Sequence, residues 1–409
     1  MTLVVQKFGG TSVANLDRIR HVAGIVARHV KAGERVCVVV SAMAGHTNQL
    51  VEWVTGLDPV HYDRAEYDTV VASGEQVTIG LLAIALQKLG IPARSFLGWQ
   101  AGIRTDAAHG KAGIVEIDPQ PLLSCIEAGV VPVVAGFQGI GPDGRITTLG
   151  RGGSDTSAVA VAAALKADRC DIFTDVDGVY TADPRIVPRA RKLARITYEE
   201  MLELASLGAK VLQTRSVALA MRYGVRLQVL SSFEDVPGTL VVDEDEIMES
   251  NVVSGVTFSR DEAKVSVLRV EDRPGVAAAI FGPLAEANIN VDMIVQSVSR
   301  DGRHANITFT VSRADLPRAV EILERQRERI GFERVDADAD VVKVSVVGVG
   351  MRSHAGVAHR MFRTLAERGI NIQAISTSEI KISVLIAEEY CELAVRALHA
   401  AFGLDRTDG

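Results

Sequence analysis

Residues 4–20 read VVQKFGGTSVANLDRIR. A β-branched strand pattern closes at Lys7, Gly9 and Gly10 follow, and Thr11 and Ser12 lead into a helix capped near Asn15. A strand running through glycines into a helix is the repeating unit of an open α/β sheet, which binds ligands at the carboxyl ends of its strands. Lys7 is a point charge at such an end, and the two glycines let backbone N–H groups approach a ligand.

The same order recurs as far as residue 240. LVVQKF, RVCVVVSAM, ARSFL, VVPVVAGF, CDIFTD and RLQVL read as strands. Between them lie helical stretches such as LDRIRHVAGIVARHVKAG, GEQVTIGLLAIALQKLG and DTSAVAVAAALKA, two of which end at a C-capping glycine, Gly33 and Gly90. The expected fold is α/β, a mainly parallel sheet sandwiched by helices.

Composition agrees: 47% of the 409 residues are hydrophobic and only 5% aromatic, which suits Val-rich buried strands. A net charge of −7 argues against a general nucleic-acid surface. Cys37, Cys125, Cys170 and Cys391 form no CxxC pair and read as reduced thiols. With no basic leader before LVVQKF and no apolar run of membrane-spanning length, a cytoplasmic location without membrane contact is expected.

At residues 241–250, VVDEDEIMES breaks the alternation with clustered acids, a candidate linker or a plain solvated loop. Beyond it the chain repeats itself. KVSVLRVEDRPGVAAAIFGPLAEANINVDMI begins at Lys264 and KVSVVGVGMRSHAGVAHRMFRTLAERGINIQAI at Lys343, aligning Gly275 with Gly356 after a two-residue insertion. Each copy continues into further strand and helix patterns, so two ferredoxin-like βαββαβ units are expected. The expected boundaries are 1–245 for the first domain, 264–340 for the first repeat and 341–409 for the second.

Several motifs carry chemistry. Gly139 to Gly144 spells GxGxxG, but Pro142-Asp143-Gly144 is turn chemistry and a strand, RITTL, follows where a dinucleotide site needs a helix. Gly150-Arg151-Gly152-Gly153-Ser154-Asp155 precedes a helix expected from about Thr156. Asp155 reads as its N-cap or as a site acid; Arg151 is not explained by capping and suits a two-pronged grip on a carboxylate or phosphate. SAMAGHTN, from Ser41 to Asn48, is either a second ligand turn or a plain strand-to-helix connection. Glu75, in the first turn of a helix, either complements its dipole or meets a substrate ammonium. FTDVDGVYTADPRI is a long polar loop at a strand end, open to nucleotide binding or to an ordinary turn with a packed Tyr180, and Lys210 lies in a helix of small residues.

Taken in order, KFGGTSV, SAM, SGE, GRGGSDTSA, TDVDGVYTADPR and GAKVL resemble the aspartate kinases of the amino-acid-kinase family, and the tail resembles their paired ACT regulatory domains. The resemblance covers nearly the whole chain. It implies ATP-dependent phosphorylation of the L-aspartate β-carboxylate, with Mg2+ held mainly by ATP phosphates and water. Lys7, Phe8, Gly9 and Gly10 then hold the transferred phosphoryl group. Ser41, Thr47, Glu75, Arg151, Gly152, Gly153 and Ser154 bind aspartate, Glu75 at the ammonium and Arg151 at the α-carboxylate. Asp155 orients the catalytic lysine, Thr174, Asp175, Tyr180, Asp183 and Arg185 line the ATP site, and Lys210 lies nearby.

The nucleophile is then the substrate's own carboxylate, ionised at pH 7, so no general base is required. For the tail the resemblance implies inhibition by lysine, threonine or both, with Asp272, Arg273, Pro274, Gly275, Asn290, Asp292 and Gln296 as the effector site of the first unit. The second unit has RSHAGV where the first has DRPGV and lacks the aligned acid. The resemblance further implies that NVVSGVTF, within 250–260, is a strand donated to the second unit, a homo-oligomer joined through ACT domains, and a shorter subunit started at Met248. A kinase of another acid such as glutamate, and a non-catalytic amino-acid sensor, are the rival readings.

Overall fold

A computed structural model describes residues 1–207, 211–247, 252–299 and 302–406; Lys210 and Met248 lie outside the described residues. The chain forms two compact units, the first built from Met1–Val179, Lys192–Ala205 and Lys210–Met248, the second from Tyr180–Arg191, Ser206–Ala209 and Glu249–Gly409.

An eight-stranded sheet organises the first unit. Its strands lie in the order Arg195–Thr197, Thr239–Val242, Leu227–Ser231, Arg169–Thr174, Leu3–Phe8, Arg35–Val40, Val131–Ala135, Ala93–Phe96. All neighbours are parallel except Leu227–Ser231 with Thr239–Val242. All six residues of the central strand Leu3–Phe8 are buried, because both faces are covered. Phe8 stacks on Phe173 of the adjacent strand, ring centroids 4.6 Å apart.

The helix Leu16–Lys31 follows the opening stretch because Asn15 caps it, its side chain accepting from the Arg18 N–H, and because Ile19, Val22, Ala23 and Val26 form one apolar stripe toward the sheet. On the same core lie Ile79, Leu82 and Leu86 of the helix Ser73–Lys88. The continuous helical stretch Arg64–Lys88 is long and apolar enough to cross a membrane by length and composition, but half of its most apolar window is buried inside the protein.

A smaller sheet of Ile114–Ile117, Ile103–Thr105, Gln138–Ile140 and Ile146–Thr148 carries the GxGxxG letters as a hairpin turn, with the Gly141 N–H donating to Arg145 O. This hairpin delivers the chain to Gly150. The following helix is Gly153–Leu165, three residues longer at its start than the sequence suggests. Gly152, left-handed at φ 72°, occupies the N-cap position, so Asp155 falls inside the first turn and caps nothing.

In the second unit, strands Asp292–Val298, His304–Val311, Ala263–Glu271 and Arg334–Asp338 form one antiparallel sheet, with helices Val276–Glu286 and Leu316–Arg325 packed on it. The other sheet runs Gly255–Ser259, Val341–Val347, Lys381–Ala387, Ala374–Thr377, with helices Val357–Glu367 and Cys391–Ala401. Its edge strand Gly255–Ser259 comes from before the first repeat and pairs antiparallel with Val341–Val347. The first repeat is thus inserted in sequence between two strands of the second.

Segment Tyr180–Arg191 packs on this second sheet's core through Ala182, Ile186 and Val187. The Val256 N–H donates to Thr181 O, and buried His399 pairs with the Thr181 hydroxyl at 2.9 Å. All four cysteines are free and buried.

Candidate active site

Lys7 ends the central strand and Asp155 lies in the first turn of Gly153–Leu165, and the fold brings them together. Lys7 Nζ is 2.6 Å from Asp155 Oδ1, each residue 8% exposed. A lysine held this way has a fixed direction, as a phosphate ligand requires. The backbone around it is bare. A Cβ added at Gly9 would lie 3.3 Å from Lys7 Nζ, and one at Gly10 would lie 3.1 Å from Ala42 O. Three strand ends converge here: the Gly9 N–H donates to Phe173 O at 3.4 Å and the Ser41 N–H to Phe8 O at 3.1 Å.

The helix start that carries Asp155 is held at close quarters. Ser154 lies against the strand end at Gly136, where an added Cβ would come within 2.9 Å of its side chain. Gly152 lies against the side chain of Gln213, which would leave a Cβ 2.4 Å from a methylene. Arg151, between two left-handed glycines, is exposed, and among the described residues its guanidinium meets no carboxylate. Thr47 is half-buried in the first turn of the helix His46–Leu57.

Glu75 is 2% exposed in the first turn of Ser73–Lys88. Its Oε1 accepts from the Ala42 N–H at 3.0 Å, which ties it to the Ser41 turn, while Oε2 is buried with no partner. Burial pushes its carboxyl up to about 7 against the pull of the Ala42 bond. A buried acid with one unsatisfied oxygen has the chemistry to accept a cation.

A positioned ammonium, a bare glycine turn, a helix N-terminus, an unpaired guanidinium and a carboxylate with one free oxygen together suit two anions, one of them carrying an ammonium. The amino acid kinase family model matches residues 2–231, and ACT domain models match 265–328 and 344–402. The chain is 56% identical to an aspartate kinase of Pseudomonas putida, over 99% of this chain and 98% of that one. It is 50% identical to an aspartokinase of Mycolicibacterium smegmatis over 100% and 98%.

The chain belongs to the aspartate kinases.

The crystal structure of Escherichia coli aspartokinase III in complex with aspartate and ADP matches with a TM-score of 0.81 at 28% identity, covering 98% of this chain and 99% of that one. The same enzyme with lysine and aspartate matches at a TM-score of 0.80.

Of the remaining expected residues, Thr174 and Asp175 belong to the first unit of this kinase. Thr174 ends the strand Arg169–Thr174, and its hydroxyl donates to exposed Asp175 at 3.1 Å. Tyr180, Asp183 and Arg185 fall in the segment that packs with the second unit. Asp183 and Arg185 pair at 2.7 Å, and the Arg185 side chain holds the Asp183 carboxyl below its ordinary value.

Of the effector residues, Gly275 is the left-handed residue before the helix Val276–Glu286, and Asp272, Arg273, Pro274, Asn290, Asp292 and Gln296 are exposed around it or along the following strand. The Arg273 side chain donates to Arg329 O and lies 3.5 Å from Glu271. Asp292 is engaged: Lys343 of the second repeat reaches it at 2.7 Å and Glu262 at 2.6 Å. Burial would raise the Asp292 carboxyl, and the Lys343 ammonium outweighs it and holds it down. Sequence reasoning did not find this lysine, because it occupies an ordinary strand position and only the packing of one repeat on the other gives it partners.

Proposed function

We propose that the chain transfers the γ-phosphoryl group of ATP to the β-carboxylate of L-aspartate, with lysine or threonine acting back through the ACT repeats. The Lys7–Asp155 pair at the mouth of the central strand is the observation that carries the reading. Lys7 and the turn at Gly9 and Gly10 hold the transferred phosphoryl group, Lys7 stabilising charge on its oxygens, and Asp155 directs Lys7. Arg151 grips the α-carboxylate in a fork, Glu75 receives the ammonium, and Ser41, Thr47, Gly152, Gly153 and Ser154 complete the cradle. No proton need be removed from the nucleophile, so the residues work by positioning and electrostatics.

Thr174, Asp175, Tyr180, Asp183 and Arg185 are assigned to the nucleotide, with Lys210 nearby as a catalytic residue. Among the described residues no three His, Cys, Asp or Glu side chains cluster as metal ligands. The bare glycine turn beside Lys7 leaves the backbone open to the phosphates of ATP, on which the metal would be carried. Mg2+, when bound through the phosphates and water, neutralises charge as the two anions meet. Support for the substrate comes from the E. coli structure described as a complex with aspartate and ADP, and for lysine as effector from the one with lysine and aspartate. A cytoplasmic enzyme assembled as a homo-oligomer through its ACT repeats, accompanied by a regulatory chain started at Met248, completes the proposal.

Trapping of the acyl phosphate as hydroxamate tests it. Product must depend on aspartate and Mg-ATP together and be far weaker with glutamate. A chain inert with aspartate, or equally active with glutamate, contradicts the proposal.

A further inference from the structure

Away from Lys7 and Asp155, Asp68 is a buried carboxylate that belongs to neither the phosphate nor the substrate residues. Asp68, fully buried on the helix Arg64–Val71, accepts four hydrogen bonds from three residues of the smaller sheet and its loop. Its Oδ1 accepts from the Thr148 hydroxyl at 2.5 Å and from the Gly110 N–H at 3.0 Å. Its Oδ2 accepts from His109 Nδ1 at 2.7 Å and from the same Gly110 N–H at 3.1 Å.

These partners lie directly behind the Arg151 turn. Thr148 precedes Leu149 and Gly150, and its carbonyl accepts from the Ala112 N–H at 2.9 Å. Arg215 then bridges the Leu149 and Ala112 carbonyls, at 2.9 Å each. Gly150 itself packs on the His109 loop, since a Cβ there would come within 3.2 Å of Gly110 O. On its other side, the helix of Asp68 runs through the single turn residue Ala72 into the helix Ser73–Lys88, which bears Glu75. One carboxylate therefore connects the element bearing Glu75 to the element bearing Arg151.

We propose that Asp68, with Thr148 and His109, is a positioning set that fixes the distance between Glu75 and Arg151 and so sets the affinity for the amino-acid substrate. The proposal rests on the assignment of those two residues to the ammonium and α-carboxylate ends of aspartate. A two-ended ligand gains from both contacts only where their spacing is held rigid, because freedom in the spacing must be lost again on binding. Removing one donor from a buried carboxylate leaves it under-satisfied and lets the turn drift. ATP, gripped at the strand ends around Lys7, does not depend on this spacing.

The test is the steady-state kinetics of the full chain carrying Thr148→Val, Thr148→Ser, Asp68→Asn or Arg151→Lys. Thr148→Val keeps shape and loses the hydroxyl; the aspartate KM is expected to rise roughly tenfold with the ATP KM within about twofold. Thr148→Ser, which restores the hydroxyl, is expected to return the aspartate KM to near the parent value. Asp68→Asn should raise the same constant, and combined with Thr148→Val should add little, as partners in one network do.

The two threonine variants carry the test even where Asp68→Asn does not fold. Equal rises in both KM values, or Thr148→Val and Thr148→Ser behaving alike, overturn the positioning role. Arg151→Lys separates the two levels. A selective rise in aspartate KM there, with none in Thr148→Val, overturns the positioning set alone. No selective rise in Arg151→Lys overturns the substrate assignment beneath it.

Discussion

Glu75 shows how one residue's burial shapes its chemistry. Its ordinary carboxyl value is 4.5 and burial raises it to about 7. Between these values the folded chain binds a proton that the unfolded chain does not, so this group's contribution to stability falls as pH rises from 4.5 through 7. With Glu75 assigned as proposed, aspartate binding needs the opposite state, the ionised carboxylate facing an ammonium. The aspartate kcat/KM is therefore expected to climb between pH 6 and 8, and a Glu75→Gln chain should lose both that limb and most of its aspartate affinity. An unchanged pH profile in the variant would detach Glu75 from the substrate.

Arg151 gives the companion prediction. Lysine at that position keeps the charge but loses the planar fork. The aspartate KM should rise at least tenfold, about 1.4 kcal/mol, against little change for ATP. Both positions are legible in the sequence as charged residues in glycine or helix-start contexts. Their depth is not: Glu75 is buried because the Ser41 turn closes over it, whereas Arg151 stays exposed.

Among elements, the two ACT repeats of the second unit meet around Lys343, which is 4% exposed between Glu262 and Asp292. Taking an ammonium and a carboxylate out of water is costly, and only their mutual geometry offsets it. Lys343→Ala should therefore lower stability by about 3–5 kcal/mol, since it strands the Glu262 carboxylate. Lys343→Met combined with Glu262→Gln should recover much of the loss, and thermal unfolding of the three chains decides this. If the single and double variants melt alike, the pair contributes nothing.

His399 supplies a second check at this scale. Burial lowers its pKa below the ordinary 6.5, so it stays neutral beside Thr181. The unfolded chain takes up a proton there first, so stability is full above pH 6.5 and falls as the pH drops below it. His399→Gln should flatten that acid limb in a melting series from pH 7.5 to 5.5.

For the molecule as a whole, the kinase matches aspartate kinases along nearly its full length, and control by an end-product amino acid is the function expected of its repeats. Lysine and threonine, singly and together, should inhibit phosphorylation of aspartate, and Asp272→Ala should relieve that inhibition without altering kcat in the absence of effector. Activity indifferent to both amino acids rejects the regulatory assignment.

The alternation of strand and helix, the glycine turns and the internal repeat were all legible locally, because each is written in periodicity and in a few residues with special backbone freedom. VVQKFGG alone placed a charge and a bare turn at the end of a buried strand. Tertiary structure alone decided which distant groups meet. Lys7 finds Asp155 across 147 intervening positions, Asp68 finds Thr148, Lys343 finds Glu262, and Gly255–Ser259 completes a sheet whose other strands begin at Val341. Those pairings depend on sheet order and on how one element packs against another. Neither leaves a periodic trace along the chain, so burial, ion pairing and pKa become readable only when the fold closes.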